Sequence, residues 1–317
     1  MISVICPTYN EAKHIVNILD FFINAKPPDK ELIIADGCST DGTCEIVCEW
    51  TKKFPNIHMI NNPDKYVPFG LNIALKKSSG DPVIRIDAHS DYASDYFEKI
   101  LETFEITGAD IVGGPCLTKG ETTLQLAIAN AISNQFGIGN SKAHNLKFKG
   151  FVDSVPFGAW KKELFGQIGY FDEQLIRNQD DEFHYRAKSL GKKIFLNPEI
   201  KLWYYPRGSL GSLFRQYFEY GIYKPFVLKK IKSEIKFRHI IPTLFVLYLF
   251  TLPLSLYFIY LIIPLFIYFF VDLTVSLSSK GRLGVKIWSI LVYPTIHLSY
   301  GTGALLGIFR WKQISGK

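Results

Sequence analysis

The stretch "VIRIDAHSDY" (residues 83–92) decides the fold. An apolar, β-branched run around Arg85 ends in Asp87, and two residues later stands His89. A short apolar run that closes on a carboxylate reads as a buried strand presenting polar groups at its carboxyl end. The pattern recurs: "ISVICP", "ELIIAD", "IHMIN" and "DIVGG" are short apolar runs that end in polar residues or glycine. Helical stretches alternate with them over residues 11–24, 42–53, 69–78 and 94–107. This β-α-β-α order predicts a mostly parallel sheet covered by helices on both faces. Ligands of such sheets bind at the carboxyl ends of the strands, which selects residues 7–11, 36–41 and 87–91.

"CPTYNE" sets Pro7, Tyr9 and Glu11 where the first strand gives way to a helix, and by itself reads equally well as a cap. In "ADGCSTDGT", Ser39, Thr40 and Asp41 suit a capped turn. Asp36 is harder to explain that way. A carboxylate at the edge of a buried sheet needs a donor, and a nucleobase or ribose hydroxyl is one. Further on, "RNQDDEFHYR" reads as a loop and then a helix over about residues 180–190, followed by one more strand. Ser209 caps a helix whose Leu210, Leu213, Phe214, Tyr217 and Phe218 recur at helical spacing.

The chain has 317 residues, with 36 Lys and Arg against 29 Asp and Glu. Six of the cations fall in "KPFVLKKIKSEIKFR" (residues 224–238) beside one acid, the signature of a membrane-surface collar rather than a nucleic-acid site. The five cysteines make no zinc spacing and read as reduced packing residues of a cytosolic compartment. Met1 runs straight into "ISVIC", with no basic region ahead of an apolar one, so no export leader is expected. Residues 240–271 and 287–309 carry no Asp, Glu, Lys or Arg. As straight helices they would reach about 48 Å and about 35 Å, against a hydrocarbon core of roughly 30 Å. The second is long enough to cross once. The first, with Pro242, Pro253 and Pro264, suits a broken helix, a hairpin or a re-entrant pair. Basic flanks favour the cytoplasm. Three such flanks require even numbers of crossings, so the last run is either interfacial or re-entrant, or an exception to the rule.

Four blocks in order, "PTYNE", "DGCSTDGT", "GLNIALKKSSGD" ahead of "IRIDAH", and "RNQDDEFHYR", resemble glycosyltransferase family 2, over roughly residues 1–230. The details are most similar to the succinoglycan-type branch, which builds exopolysaccharide on a lipid carrier. The resemblance implies a GT-A fold: a Rossmann-like, mostly parallel α/β sheet flanked by helices, with a C-terminal amphipathic and transmembrane helical region. Its expected segments are a catalytic domain over 1–208, membrane-surface helices over 209–238 and embedded helices over 239–317.

By the same resemblance, Pro7, Tyr9, Glu11, Asp36, Arg85 and Asp87 would meet the nucleotide of a UDP-sugar. Asp87 would match the first aspartate of a D-x-D metal motif and His89 the second, with Asp91 as an alternative carboxylate. Imidazole favours Mn²⁺ over Mg²⁺. Asp180 matches the catalytic base, with Asp181 in reserve, and Gln179 stands where the family usually has Glu. His184, one turn on, could point at the site. Trp160, in "PFGAW", falls where the acceptor cleft is shaped. Arg207, Arg215, Gln216 and Lys224 are candidates for the acceptor or its diphosphate. "RQYFEYG" replaces the Q-x-x-R-W of processive synthases, which implies addition of one sugar. The expected enzyme is an inverting hexosyltransferase on the cytoplasmic face of the plasma or inner membrane, acting on a polyprenyl-diphosphate-linked saccharide. The rivals are a polyprenyl-monophosphate sugar transferase and a non-catalytic nucleotide-sugar-binding scaffold.

Overall fold

The strands are β1 (Ile2–Thr8), β2 (Lys30–Asp36), β3 (Ile57–Asn61), β4 (Val83–Arg85), β5 (Ser90–Tyr92), β6 (Ile111–Gly113), β7 (Cys116–Thr118), β8 (Gly150–Phe151), β9 (Ala159–Trp160), β10 (Ile194–Leu196) and β11 (Leu202–Tyr204). The helices are α1 (Ile15–Asn24), α2 (Thr43–Lys53), α3 (Val67–Lys77), α4 (Tyr96–Thr107), α5 (Thr123–Ile132), α6 (Gln135–Ile138), α7 (Glu163–Ile168), α8 (Gln179–Ser189), α9 (Leu210–Lys230), α10 (Phe237–Leu249), α11 (Ile263–Ser278) and α12 (Leu283–Ile314). The structure, a computed structural model, describes residues 1–139, 147–230 and 236–314. It forms two compact units, Met1–Leu117 with Lys142–Tyr204, and Thr118–Ser141 with Tyr205–Lys317. This division departs from the segments expected from sequence, because α5 and α6 belong to the C-terminal unit.

In the first unit an eight-stranded sheet runs β3-β2-β1-β4-β9-β6-β10-β8. Pairing is parallel from β3 to β4 and between β6 and β10, while β9 and β8 are antiparallel to their neighbours. Every residue of β2 is buried, as a strand covered on both faces requires. Alternate residues feed two cores. Val4, Cys6, Leu32 and Ile34 pack with Ile18 and Phe22 of α1 and Phe97 of α4, while Ile5, Ile33 and Ala35 pack with Leu71 of α3 and Phe183 of α8. The register pairs Thr8 with Asp36, Asp36 with Asn61 and Ile5 with Arg85, so the carboxyl ends of β1 to β4 lie along one edge. A second sheet, β5-β11-β7, completes the unit.

The first four predicted helices form within a few residues of their expected bounds. The largest shift is at α1, which begins at Ile15 rather than residue 11, because Glu11 N and Ala12 N donate to the β2–α2 loop instead of entering a helix. β9 was not anticipated, since a two-residue strand has no period to read.

In the second unit Ser209 Oγ caps α9 by accepting from Ser212 N (3.1 Å), and Leu213 and Tyr217 turn inward against Ala127 of α5 and Tyr293 and Ile296 of α12. The helices α9 and α12 touch through their backbones. A Cβ on Gly303 would stand 2.2 Å from Phe218 O, and one on Gly221 2.3 Å from Tyr300 O. The first apolar run folds back on itself. Its helix α10 ends before 3₁₀ turns at Leu252–Leu256 and Ile259–Ile262, and α11 returns with Tyr268 stacked on Phe245 at 4.3 Å. Tyr248 OH donates to Leu261 O (2.7 Å) and accepts from Leu265 N (3.1 Å). Among the described residues, Ile259–Ser278 is long and apolar enough to cross a bilayer, with mean hydropathy 2.1 and only 11% of it buried. Residues 287–309, long enough to cross once, carry much of this unit's own packing, with Val292, Tyr293, Ile296 and Ser299 buried.

Gly303→Val is expected to destabilise the second unit by roughly 1–3 kcal/mol or more, because the new branch meets a backbone carbonyl that cannot step aside. Thermal unfolding in detergent measures this. Gly166→Ala, whose Cβ meets nothing within 4 Å, is the matched control and is expected not to lower the midpoint.

Candidate active site

Two loops at the carboxyl edge of the first unit's sheet are laced together. Asn10 N donates to Ser39 Oγ (2.8 Å), Thr40 N to Asn10 Oδ1 (2.9 Å), Glu11 N to Thr43 Oγ1 (2.9 Å) and Ala12 N to Asp41 Oδ2 (3.0 Å). Asp41 also accepts from Thr43 N (3.1 Å), the first residue of α2. The lacing requires Asn10 and Cys38 in left-handed backbone, at φ 56° and 60°. Among the described residues, the other non-glycine positions with positive φ are Lys65, after β3, Phe157, before β9, and Asn178, before α8. Such conformations cost about 1–3 kcal/mol each and gather where surrounding structure over-determines them for function.

Asp36 lies wholly buried at the floor of this edge. Its carboxylate accepts from Ser39 N (2.8 Å), Ser39 Oγ (2.6 Å), Thr8 Oγ1 (3.2 Å) and Cys44 Sγ (3.0 Å). Donors that the sequence reading sought outside the chain are supplied by the turn at Ser39, the end of β1 and the start of α2. Burial, then the Asp36 carboxylate, push the Cys44 thiol up to about 12, so it stays a neutral donor. Cys44 is thus more than packing. Tyr9 is 47% exposed, with the Lys65 ammonium 5.9 Å from its ring centre. A Cβ on Gly37 would meet that ring at 3.2 Å.

At the end of β4, Arg85 Nε and Nη2 donate to the two carboxylate oxygens of Asp87, at 3.0 and 3.1 Å. The guanidinium also lies 5.3 Å from the Phe157 ring centre. Burial opposes the Arg85 charge, but Asp87, with a further contribution from Asp180, raises its pKa overall. Asp87 N donates to Tyr92 OH (2.7 Å), which ties the strand end to β5. His89 Nδ1 stands 3.2 Å from Glu11 Oε1, and Asp91 lies in β5 opposite Trp203. Among the described residues no three His, Cys, Asp or Glu side chains converge on a metal position. A cation here would draw on Asp87 and His89 and complete its shell with substrate and water oxygens. One carboxylate and one imidazole would suit Mn²⁺, and less readily Mg²⁺. Asp87 also retains acceptor capacity, since two carboxylate oxygens offer about four lone-pair sites.

The three acids that open α8 have three different partners. Glu182 is buried in a bidentate pair with Arg186 (2.7 and 2.9 Å), which also donates to Ile168 O and Tyr170 O and so pins α8 in place. Asp181 Oδ1 accepts from Ser154 Oγ (3.1 Å). Asp180 accepts from Asp181 N (2.9 Å). Burial, then the Asp181 charge, raise the Asp180 carboxyl above the usual range, against the opposing pull of Arg85. A carboxylate held this way is a stronger base than a solvated one.

Trp160 does not reach an acceptor. It is 1% exposed, because β9 sets it in mid-sheet between β4 and β6, where it packs on Phe165, Phe171 and Phe183. In the second unit Lys224 is 6% exposed on α9, too deep for an open diphosphate grip. Arg207 and Arg215 are exposed. Gln216 accepts from Arg207 Nε (3.3 Å) and donates to Tyr220 OH (3.1 Å). Sequence reasoning missed Ser154, whose lone hydroxyl in a loop carries no pattern. It also missed Asn10, whose role shows only in its backbone.

The family described as Glycosyl transferase family 2 matches residues 3–169. The succinoglycan biosynthesis protein ExoA of Rhizobium meliloti (strain 1021) is 34% identical over 221 residues, 69% of this chain and 67% of that protein. A dolichyl N-acetyl-alpha-D-glucosaminyl phosphate 3-beta-D-2,3-diacetamido-2,3-dideoxy-beta-D-glucuronosyltransferase of Methanococcus voltae is 29% identical over 238 residues, 72% of this chain and 74% of that one. In fold, the mannosyltransferase PcManGT of Pyrobaculum calidifontis, solved with GDP-Man and Mn²⁺, superposes with TM-score 0.61 at 18% identity over 97% of this chain and 87% of its own. The matched segment covers the loops, the Arg85–Asp87 fork and His89, and the chain belongs to glycosyltransferase family 2.

Proposed function

We propose that this glycosyltransferase moves one hexose, with glucose the expected sugar, from a UDP-sugar to a polyprenyl-diphosphate-linked saccharide, with inversion of the anomeric centre. The observation that carries the reading is the pairing, in one unit, of Asp87 and His89 at the end of β4 with Asp180, a carboxyl of raised pKa that feels the same Arg85. The names of the two relatives, one a succinoglycan biosynthesis protein and one acting on a lipid-phosphate-linked sugar, support a lipid-linked acceptor that already bears sugar.

In this reading the exposed Tyr9 ring and Lys65 hold the uracil face, with Pro7 and Glu11 beside them, and Asp36 acts indirectly by fixing Ser39 and Thr8. Asp87 and His89 hold a divalent cation, and the imidazole favours Mn²⁺. When bound, that ion neutralises the charge that develops on the diphosphate leaving group. Asp180 takes the proton of the acceptor hydroxyl on the face opposite the departing diphosphate, the in-line arrangement that inversion demands. Arg207 and Arg215 are the cations available for the lipid diphosphate. Glu219 and Tyr220 stand where processive synthases have Arg and Trp, which favours a single addition. The α10–α11 hairpin, with Arg238 in its first turn and Lys280 and Arg282 after it, favours an even number of crossings with both flanks on the cytoplasmic face.

Calorimetric titration of UDP is expected to show binding that chelator weakens at least about tenfold. His89→Ala should remove that metal dependence without lowering the thermal midpoint, since the side chain is half-exposed. UDP binding indifferent to Mn²⁺ overturns the metal assignment.

Asp180→Asn is expected to bind UDP normally yet lose about 10²- to 10⁴-fold in transfer to a polyprenyl-diphosphate saccharide. Its thermal midpoint at neutral pH should not fall, because a buried charge beside another acid is removed. A raised folded pKa means that the working base is lost as pH falls through that raised value. The acid limb of kcat against pH should therefore lie above the ordinary Asp range, near 3.9, and a limb at the ordinary value assigns the base elsewhere.

A further inference from the structure

Behind Asp181 runs a chain of hydrogen bonds whose direction can be worked out from donor chemistry alone. Trp160 Nε1 is 3.3 Å from His184 Nε2, both buried, and an indole nitrogen can only donate. His184 Nε2 is therefore an acceptor and carries no proton. His184 is wholly buried, and burial, against an opposing Asp181 charge, brings its pKa down to about 4, so the ring is neutral and its proton sits on Nδ1. Nδ1 stands 3.0 Å from Ser154 Oγ and donates to it. The hydroxyl proton of Ser154 is then directed onward to Asp181 Oδ1 at 3.1 Å. Each donor is used once, and the chain starts at a side chain locked in mid-sheet by three phenylalanine rings.

We propose that Trp160, His184 and Ser154 form a positioning relay that fixes the Asp181 carboxylate in one orientation beside Asp180. The relay rests on the reading of Asp180 as the base and adds the element that sets its surroundings. Asp181 is the nearest charge on Asp180 from its own helix, and Arg85 of β4 is the opposing one. A free Asp181 would swing between rotamers and vary the field at Asp180. Tied to Ser154, it presents a constant one. Trp160, His184 and Ser154 are thus positioning residues rather than catalytic ones, and Ser154 is the half-buried member that can be altered without hollowing the core.

Two measurements on the full chain in detergent test this. The ¹⁵N spectrum of histidine-labelled protein, with His184 assigned by its loss in His184→Gln, is expected to show a neutral ring protonated on Nδ1 that does not titrate between about pH 6 and 8. Kinetically, Ser154→Ala is expected to lower kcat about 10- to 100-fold with the donor KM unchanged, and Ser154→Thr, which keeps the hydroxyl, to recover most of the loss. A proton on Nε2, a Ser154→Ala enzyme with full kcat, or a threonine variant no better than alanine overturns the relay. A wild type that shows the expected tautomer but transfers no sugar to polyprenyl-diphosphate saccharides overturns the acceptor assignment and not the relay.

Discussion

Arg85 is buried to 7% exposure and grips Asp87 through two parallel bonds. A guanidinium taken out of water is costly unless paired, and a buried pair broken on one side costs about 3–5 kcal/mol. The fork therefore holds Asp87 in one orientation in the free protein. It also sets a positive charge where Asp180 feels it. Without that charge, burial and Asp181 would push the Asp180 carboxyl further up. One residue of β4 thus holds the Asp87 carboxylate and opposes the rise of the Asp180 carboxyl. Phe157, under the guanidinium, is held at φ 46°.

How much of this was legible in the sequence depended on whether a feature repeats. The strands of the first unit were legible because both faces of the sheet are covered, which writes each strand as an unbroken apolar run. Their polar ends located the site edge, and Asp87, His89, Glu11 and Asp180 all lie in the unit that carries it. What failed were inferences from a residue to its partner. Asp36 read as needing an outside donor, yet Ser39 of the following loop, Thr8 at the end of β1 and Cys44 of α2 donate to it. Trp160 read as a cleft aromatic because a two-residue antiparallel strand leaves no period. Lys224 read as an exposed cation because a single helical face cannot be told buried from exposed until its neighbours are known.

The second unit shows the same limit in hydropathy. The runs 240–271 and 287–309 are similarly free of charge, yet they pack differently. The first breaks near Pro253 and doubles back, leaving Phe250, Leu256, Phe266 and Phe270 exposed. The second turns glycines and Val292, Tyr293 and Ile296 against α5, α9 and α10. Hydropathy sums over a helix all round, whereas burial depends on which face is small enough to be approached. Glycine at 221, 301 and 303 decided that, and no average registers it.

The run of acids at the start of α8 makes the complementary point about charge. Side chains three and four apart share a helix face, whereas consecutive ones diverge. Glu182 therefore meets Arg186 one turn on, and Asp181 meets, through Ser154, His184 three residues on. Asp180 accepts from the adjacent Asp181 N, and its carboxyl is set by burial and then by the charges of Asp181 and Arg85. Gln179 completes the logic. It is 6% exposed, so a glutamate there, the commoner family residue, would bring a further buried negative charge next to Asp180. Asp181 already supplies one such charge, and a second would raise the Asp180 carboxyl further. With Gln179 neutral, the charges that act on Asp180 are Asp181, which raises its carboxyl, and Arg85, which lowers it.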